Sequence, residues 1–199
     1  NYLESFKSTN DQYKTSIKAN NGKIYGIPYD SHYVLEIDVD GATAKFIGDT
    51  DVHGDKYMSA VLANNGKIYA IPYGYKSFNI LEINTEEINS TTNEPIIKKY
   101  AIPSLENKHR KYYTSILANN NKIYAIPEKE DKVLEIDPAN ISNGYGEGIK
   151  FIGDKLEGDF KYKSCVLANN NKIYAIPCNA NKVLEITPST DTIEASTEL

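Results

Sequence analysis

The sequence predicts an all-β protein assembled from four copies of one antiparallel unit, and two observations carry this. A decapeptide is written four times: ANNGKIYGIP at 19–28, ANNGKIYAIP at 63–72, and ANNNKIYAIP at 118–127 and again at 168–177. Each copy is followed by a second shared strand: YVLEID at 33–38, NILEIN at 79–84, KVLEID at 132–137 and KVLEIT at 182–187. Both segments are short apolar runs bounded by turn residues, and a run without polar alternation reads as a strand buried on both faces.

In chain order, the first unit gives four strand-length segments, Ser16–Ala19, Lys23–Pro28, Val34–Asp38 and Ala44–Gly48. The second starts at Tyr57, with a third strand at Ile80–Asn84 and a long polar insertion through about Pro95 before Ile96–Ile102. The third starts at Tyr112 and ends in IKFIGD at 149–154, matching AKFIGD at 44–49. The fourth starts at Tyr162 and follows VLEIT with a polar tail in which no outer strand is evident, whereas Tyr2–Phe6 at the other end is a stray apolar segment. One domain over 1–199 is expected, with repeats at about 13–56, 57–111, 112–161 and 162–199, and residues 1–12 lending a strand to the last unit.

Within the decapeptide, Asn21-Gly22 and Asn65-Gly66 suit a two-residue type I′ hairpin, with Asn121 and Asn171 replacing Gly in the later copies. That turn sets Val61 opposite Ala70 and Ala60 opposite Ile71. Each small residue, Gly26, Ala70, Ala125 or Ala175, then faces a branched one, Ile17, Val61, Ile116 or Val166, as suits sheets stacked closely face to face. Cys165 falls opposite Ile176, too poorly placed relative to Cys178 for a bridge, so two buried free thiols are expected.

The chain has 199 residues, a formal charge of −5 and no apolar run long enough for a membrane helix. An acidic balance disfavours nucleic acid, which needs a basic face. The opening NYLESFKSTNDQ is not a signal peptide, and without an initial Met any such segment would lie outside this sequence. The compartment is not specified; two cysteines in so long a chain lean toward the cytoplasm. Asn89 and Asn140 match glycosylation acceptors at a rate that so Asn-rich a chain produces by chance.

Four short strands per fifty-residue unit, with tight hairpins and two apolar faces, describe a propeller blade. SAVLANNGKIYAIP followed by NILEIN resembles a kelch-type repeat in its small-apolar strand, its N-G-K-I-Y turn and its later strand. The pattern departs from that family at Ile27-Pro28, Ile71-Pro72, Ile126-Pro127 and Ile176-Pro177, where kelch repeats carry Gly-Gly, and in having no Trp. The expectation is a four-bladed β-propeller of four-stranded antiparallel blades, the alternative being part of a larger propeller.

Repeated polar residues read as structural. Glu36, Glu82, Glu135 and Glu185 recur with Lys23, Lys67, Lys122 and Lys172; pairing inside each blade spares a buried carboxylate its desolvation cost and is preferred to an axial cation site. The tyrosines at 13, 57, 112 and 162, and at 25, 69, 124 and 174, read as core. GDTDVHGD at 48–55 resembles a calcium loop through Asp49, Asp51 and Gly54, but His53 stands where oxygen is wanted and no bidentate Glu follows, so a connecting turn is expected. His32, His53 and His109 are read as solvated loop residues, and no nucleophile, metal or cofactor site is assigned.

What varies between copies is the connection after Ile-Pro: YDSHY at 29–33, YGYKSF at 73–78, EKED at 128–131 and CNAN at 178–181. Loops on a rigid scaffold are where recognition residues collect. Tyr29, Tyr33, Tyr73, Tyr75 and Phe78 are the candidate partner-binding patch. The expected function is a non-enzymatic protein-interaction or scaffold module. A lectin-like glycan or small-molecule binder is the alternative, and a propeller hydrolase the least favoured.

Overall fold

The computed structural model describes residues 11–50, 54–103, 105 and 107–188, together with the backbone of 192–195. The chain is all-β, with four antiparallel four-stranded sheets that follow one another along the sequence. Blade 1 holds β1 (Tyr13–Lys18), β2 (Ile24–Pro28), β3 (Tyr33–Asp38) and β4 (Thr43–Asp49); blade 2 holds β5 (Tyr57–Leu62), β6 (Lys67–Pro72), β7 (Asn79–Asn89) and β8 (Glu94–Ala101). Blade 3 holds β9 (Tyr112–Leu117), β10 (Ile123–Pro127), β11 (Val133–Ile136) and β12 (Ile149–Ile152); blade 4 holds β13 (Tyr162–Leu167), β14 (Ile173–Pro177), β15 (Leu184–Thr187) and β16 (Thr192–Ala195). Among the described residues the only helical element is a 3-10 turn at Ile141–Asn143, and no helix is long and apolar enough to cross a membrane.

The repeated hairpin is not the two-residue turn expected. Gly66 N–H donates to Ala63 O at 3.0 Å and Ala63 N–H to Lys67 O at 2.9 Å, so the loop is one residue longer. Only its last residue is left-handed: Gly22 at φ +82°, Gly66 at +77°, Asn121 at +65° and Asn171 at +63°. This is a three-residue loop closing on a bulge, and the Asn65 carboxamide oxygen favours it by accepting Lys67 N–H at 3.1 Å.

The extra residue shifts the pairing by one. Val61 lies opposite Tyr69 and Ala60 opposite Ala70. Small residues therefore meet small ones, Ser16 with Gly26, Ser115 with Ala125 and Cys165 with Ala175, rather than the branched partners expected. Both cysteines are free, as expected, but Cys178 is exposed. It sits in the loop beyond β14, outside the apolar run that would have buried it.

Two other expectations change. The polar insertion of the second unit lengthens the β7–β8 hairpin across a bulge between Asn84 and Ile88, with Asn89 capping its turn through Thr91 N–H at 2.8 Å. The outer strand of blade 4 is β16, paired to β15 from Leu184↔Ala195 to Thr187↔Thr192, so that blade is completed by the end of the chain. Tyr2–Phe6, expected to lend that strand, lies outside the described residues, as does the centre of the calcium-like loop, 51–53.

The blades fan outward from their first strands, β1, β5, β9 and β13, which lie side by side. Each blade has a leading face toward the next blade and a trailing face toward the one before. In the first seam Tyr25, Ile27, Val34 and Ile47 of blade 1 meet Tyr57, Ile68, Leu81 and Ile83 of blade 2. The second joins Tyr69, Ile71 and Ile80 to Tyr112, Ile123 and Leu134, and the third joins Tyr124, Ile126 and Val133 to Tyr162, Ile173 and Leu184. Each fully buried Ile, Leu or Tyr contributes about 1.5–3 kcal/mol. The four-bladed ring expected from sequence needs a fourth seam; the described residues form three.

Repeated polar residues brace each blade from within. Tyr69 Oη donates to Glu82 Oε2 at 3.0 Å, Lys67 Nζ reaches Oε1 at 3.1 Å, and Asn65 Nδ2 donates to Tyr69 Oη at 2.9 Å. Blade 1 repeats this with Asn21, Lys23, Tyr25 and Glu36. Blades 3 and 4 keep the Lys–Glu pair and the Asn–Tyr bond. In blade 4, Lys172 and Tyr174 hold the Glu185 carboxyl below its ordinary range. The four glutamates thus serve their own blades and do not converge on the axis.

Candidate functional site

The connections divide between two ends of the fan. One end carries the four near-identical hairpin turns; the other, the rim, carries the loops that follow β2, β6, β10 and β14 and the connections between blades. Rim backbone is joined in a zigzag. Within a blade, Tyr29 N–H donates to Gln12 O, Tyr73 to Lys56, Glu128 to Lys111 and Cys178 to Lys161, at 2.7–2.9 Å; across blades, Lys56 N–H donates to Tyr29 O, Lys111 to Tyr73 and Lys161 to Glu128, at 2.9–3.0 Å. This regular scaffold displays four different side chains, Tyr29, Tyr73, Glu128 and Cys178.

Two further repeated distortions aim side chains at this end. Each innermost strand shifts register just after its first Tyr, at Lys14, Met58, Tyr113 and Lys163, and bulges are a common means of re-aiming a side chain. Two residues before those tyrosines, Asp11, Asp55, Arg110 and Phe160 all take left-handed backbone, φ +51° to +65°. This conformation is uncommon for Arg or Phe, and here one backbone shape presents four unrelated side chains. Gly74 lets the loop after β6 lie against this position, since a Cβ there would run into the Asp55 carbonyl oxygen.

Side chains from all four blades form one band. Lys14 Nζ stands 5.2 Å above the Tyr29 ring, which lies 6.0 Å from Tyr73. Tyr73 meets His109 edge-on at 5.2 Å and Tyr113 at 6.1 Å, and Tyr75 stacks on His109 at 5.1 Å. His109 Nε2 lies 3.0 Å from Asp55 Oδ2. Beyond Tyr113 the band turns basic: Lys129 and Arg110 lie 4.5 and 5.3 Å from the Phe160 centroid, and Lys163 lies within 6 Å of both Phe160 and Tyr113.

Under these cations the Glu128 side chain is fully buried. Arg110 Nη1 donates to its Oε1 at 3.2 Å and Lys163 Nζ lies 3.7 Å away, while among the described residues its Oε2 has no hydrogen-bond donor. A buried carboxylate oxygen without a donor is costly, and the two cations beside it offset part of that cost. Burial pushes the Tyr73 hydroxyl up to about 12, keeping it a neutral donor. Lys111, fully buried behind the loops, donates to Lys108 O at 2.7 Å and to Gly74 O; desolvation lowers it to about 8.

The structure brings Tyr29, Tyr73 and Tyr75 of the expected patch together and separates the other two. Tyr33 starts β3 and stacks on Phe46 at 5.7 Å, away from the band. Phe78 packs against the second seam with Lys111 Nζ 5.0 Å above it. His109, expected as a solvated loop residue, is instead held between Tyr73, Tyr75 and Asp55. Sequence reasoning missed Tyr113, Phe160, Arg110, Lys163 and Glu128; comparing the residue after each repeat's first Tyr, and the residue two before it, would have found the variable positions.

No protein-family profile and no curated protein matches the chain in sequence, so the kelch-like resemblance has no family match behind it. Solved structures do resemble it. A catalytically inactive virginiamycin B lyase from Staphylococcus aureus, with quinupristin, aligns at 14% identity and TM-score 0.67 over 92% of this chain and 54% of that one. An auxiliary nutrient-binding protein from Bacteroides ovatus aligns at 10% and 0.56, over 95% of this chain and 43% of that one. An extracellular one-component-system domain from B. thetaiotaomicron aligns at 10% and 0.61, over 94% and 24%. The chain spans about half the length of the lyase, and at such identities the likeness establishes the fold alone: a β-propeller arrangement of antiparallel blades.

Proposed function

We propose that this propeller segment is a non-enzymatic binding module whose rim band, from Tyr29 to Phe160, takes a protein partner. The observation that carries the reading is the contrast on one backbone scaffold: seam residues repeat, whereas the rim positions are occupied by different chemistry in every blade. Arg110 and Lys163 neutralise the buried Glu128 beneath the band, which leaves the aromatic rings as its main contact surface. Exposed Tyr75 stacked on His109, beside the Phe160 cation cluster, has the aromatic and Arg content of a contact hot spot.

The test compares partner recovery by the wild type with that by a Tyr75→Ala, Lys163→Ala variant, both side chains being at least partly exposed. Loss of recovery with an unchanged unfolding midpoint supports the rim, and undiminished recovery removes it. A second reading, a glycan ligand, is favoured by the exposed Tyr75 ring stacked on His109, an aromatic face on which a sugar ring can pack. On a glycan array it predicts binding that Tyr75→Ala weakens.

A further inference from the structure

The three internal seams are one interface used three times, and its two halves are both left over at the ends of the fan. On trailing faces, Ile68, Leu81 and Ile83 of blade 2 are buried, as are their equivalents in blades 3 and 4; Ile24, Leu35 and Ile37 of blade 1 remain partly exposed. They line, with Tyr13 and Gly26, a depression of about 520 Å³. On leading faces, Ile27, Ile71 and Ile126 are buried, whereas Ile176 of blade 4 is 48% exposed and Val166 51%.

The polar stitches stop at the same place. Asn21, Asn65 and Asn120 each donate to a carbonyl of the following blade, Thr85, Pro138 and Pro188; among the described residues Asn170 bonds only within its own blade. At the turn end Asn64 bonds Asn121, and Asn20 approaches Gly66, whereas Gly22 of blade 1 faces open space. The exposed leading face is thus chemically the partner of the exposed trailing face. They lie on opposite sides of the fan, so continuing the established seam requires a further set of blades.

We infer that two copies of this chain join head to tail, the blade 4 leading face of each packing on the blade 1 trailing face of the other, to close an eight-bladed ring. Eight lies within the range of propeller blade numbers. A contact between unlike faces that closes by rotation yields a finite ring. In it Ile176 and Val166 take the buried positions of Ile71 and Val61, Leu35 takes that of Leu81, and Asn170 gains the acceptor its equivalents have.

Sedimentation equilibrium of the 199-residue chain over a wide dilution series tests this, with the expected result a dimer and nothing larger. Ile176→Lys on one face and Leu35→Asp on the other, both at partly exposed sites, should each weaken it by roughly a hundredfold or more, because both junctions of a homodimer carry the change. Mixing the two variants restores one native junction, and with it measurable heterodimer. A monomer at all concentrations overturns the inference and leaves further blades as the occupant. Open polymers, or a dimer indifferent to either substitution, overturn it equally. None of these outcomes bears on the rim, whose partner recovery is read separately.

Discussion

The turn end and the rim end of these blades share one scaffold and differ in what they repeat. At the turn end, Asn21, Asn65, Asn120 and Asn170 do the same work in every blade, each bonding its Tyr hydroxyl at 2.9–3.0 Å. At the rim, equivalent backbone positions carry Tyr29, Tyr73, Glu128 and Cys178, and Asp11, Asp55, Arg110 and Phe160. Sameness marks packing that every seam needs; difference at constant backbone marks positions free to be used for recognition.

Two tyrosines give the largest contrast. Tyr69→Ala removes a fully buried seam ring and a donor to Glu82, and should cost about 3–5 kcal/mol in chemical denaturation. Tyr75→Ala, 57% exposed at the rim, should cost under about 0.5 kcal/mol while abolishing partner recovery. Equal stability losses would erase the distinction between the ends. Two glycines sharpen it further. Gly74→Ala forces the rim backbone off the Asp55 carbonyl and should cost roughly 1–3 kcal/mol together with binding, whereas Gly22→Ala meets no atom and should show only the left-handed penalty of about 1–2 kcal/mol.

Titration separates a buried cation from a partly buried phenol. Lys111, lowered to about 8 by desolvation, is neutral in the folded chain where the unfolded chain is still protonated, so it makes stability rise from about pH 8 to 10. Tyr100, raised to about 12 by burial and then by Glu82, keeps its proton where the unfolded chain loses it, so it makes stability fall above about pH 10. Unfolding midpoints measured across this range should lose the rise in Lys111→Met and part of the fall in Tyr100→Phe. The smallest effect is chemical: exposed Cys178 at the rim should alkylate well before Cys165, whose thiol burial pushes up to about 11, as peptide mass mapping would show.

Much of the fold was legible because repetition is itself a signal. The four apolar hairpins and the Lys–Glu pairing followed from residues 19–28 and their copies. Turn type was not, since Asn-Gly serves both a two-residue loop and the longer bulged one, and the choice rests on Ala63 and Lys67 exchanging backbone bonds. Of the rim, Tyr29, Tyr73 and Tyr75 were visible as a composition change after Ile-Pro. Glu128, Arg110 and Phe160 lie far apart in sequence and became one cluster only when the blades fanned.

The sequence alone determined that the chain makes four sheets with two apolar faces each, because period, turn residues and burial pattern are local and written four times. Which variable side chains gather into one band, and that among the described residues one seam half is left open at each side of the fan, depended on tertiary structure. Those properties belong to distances between blades, and a repeated unit is identical in sequence whether its neighbour is present or absent.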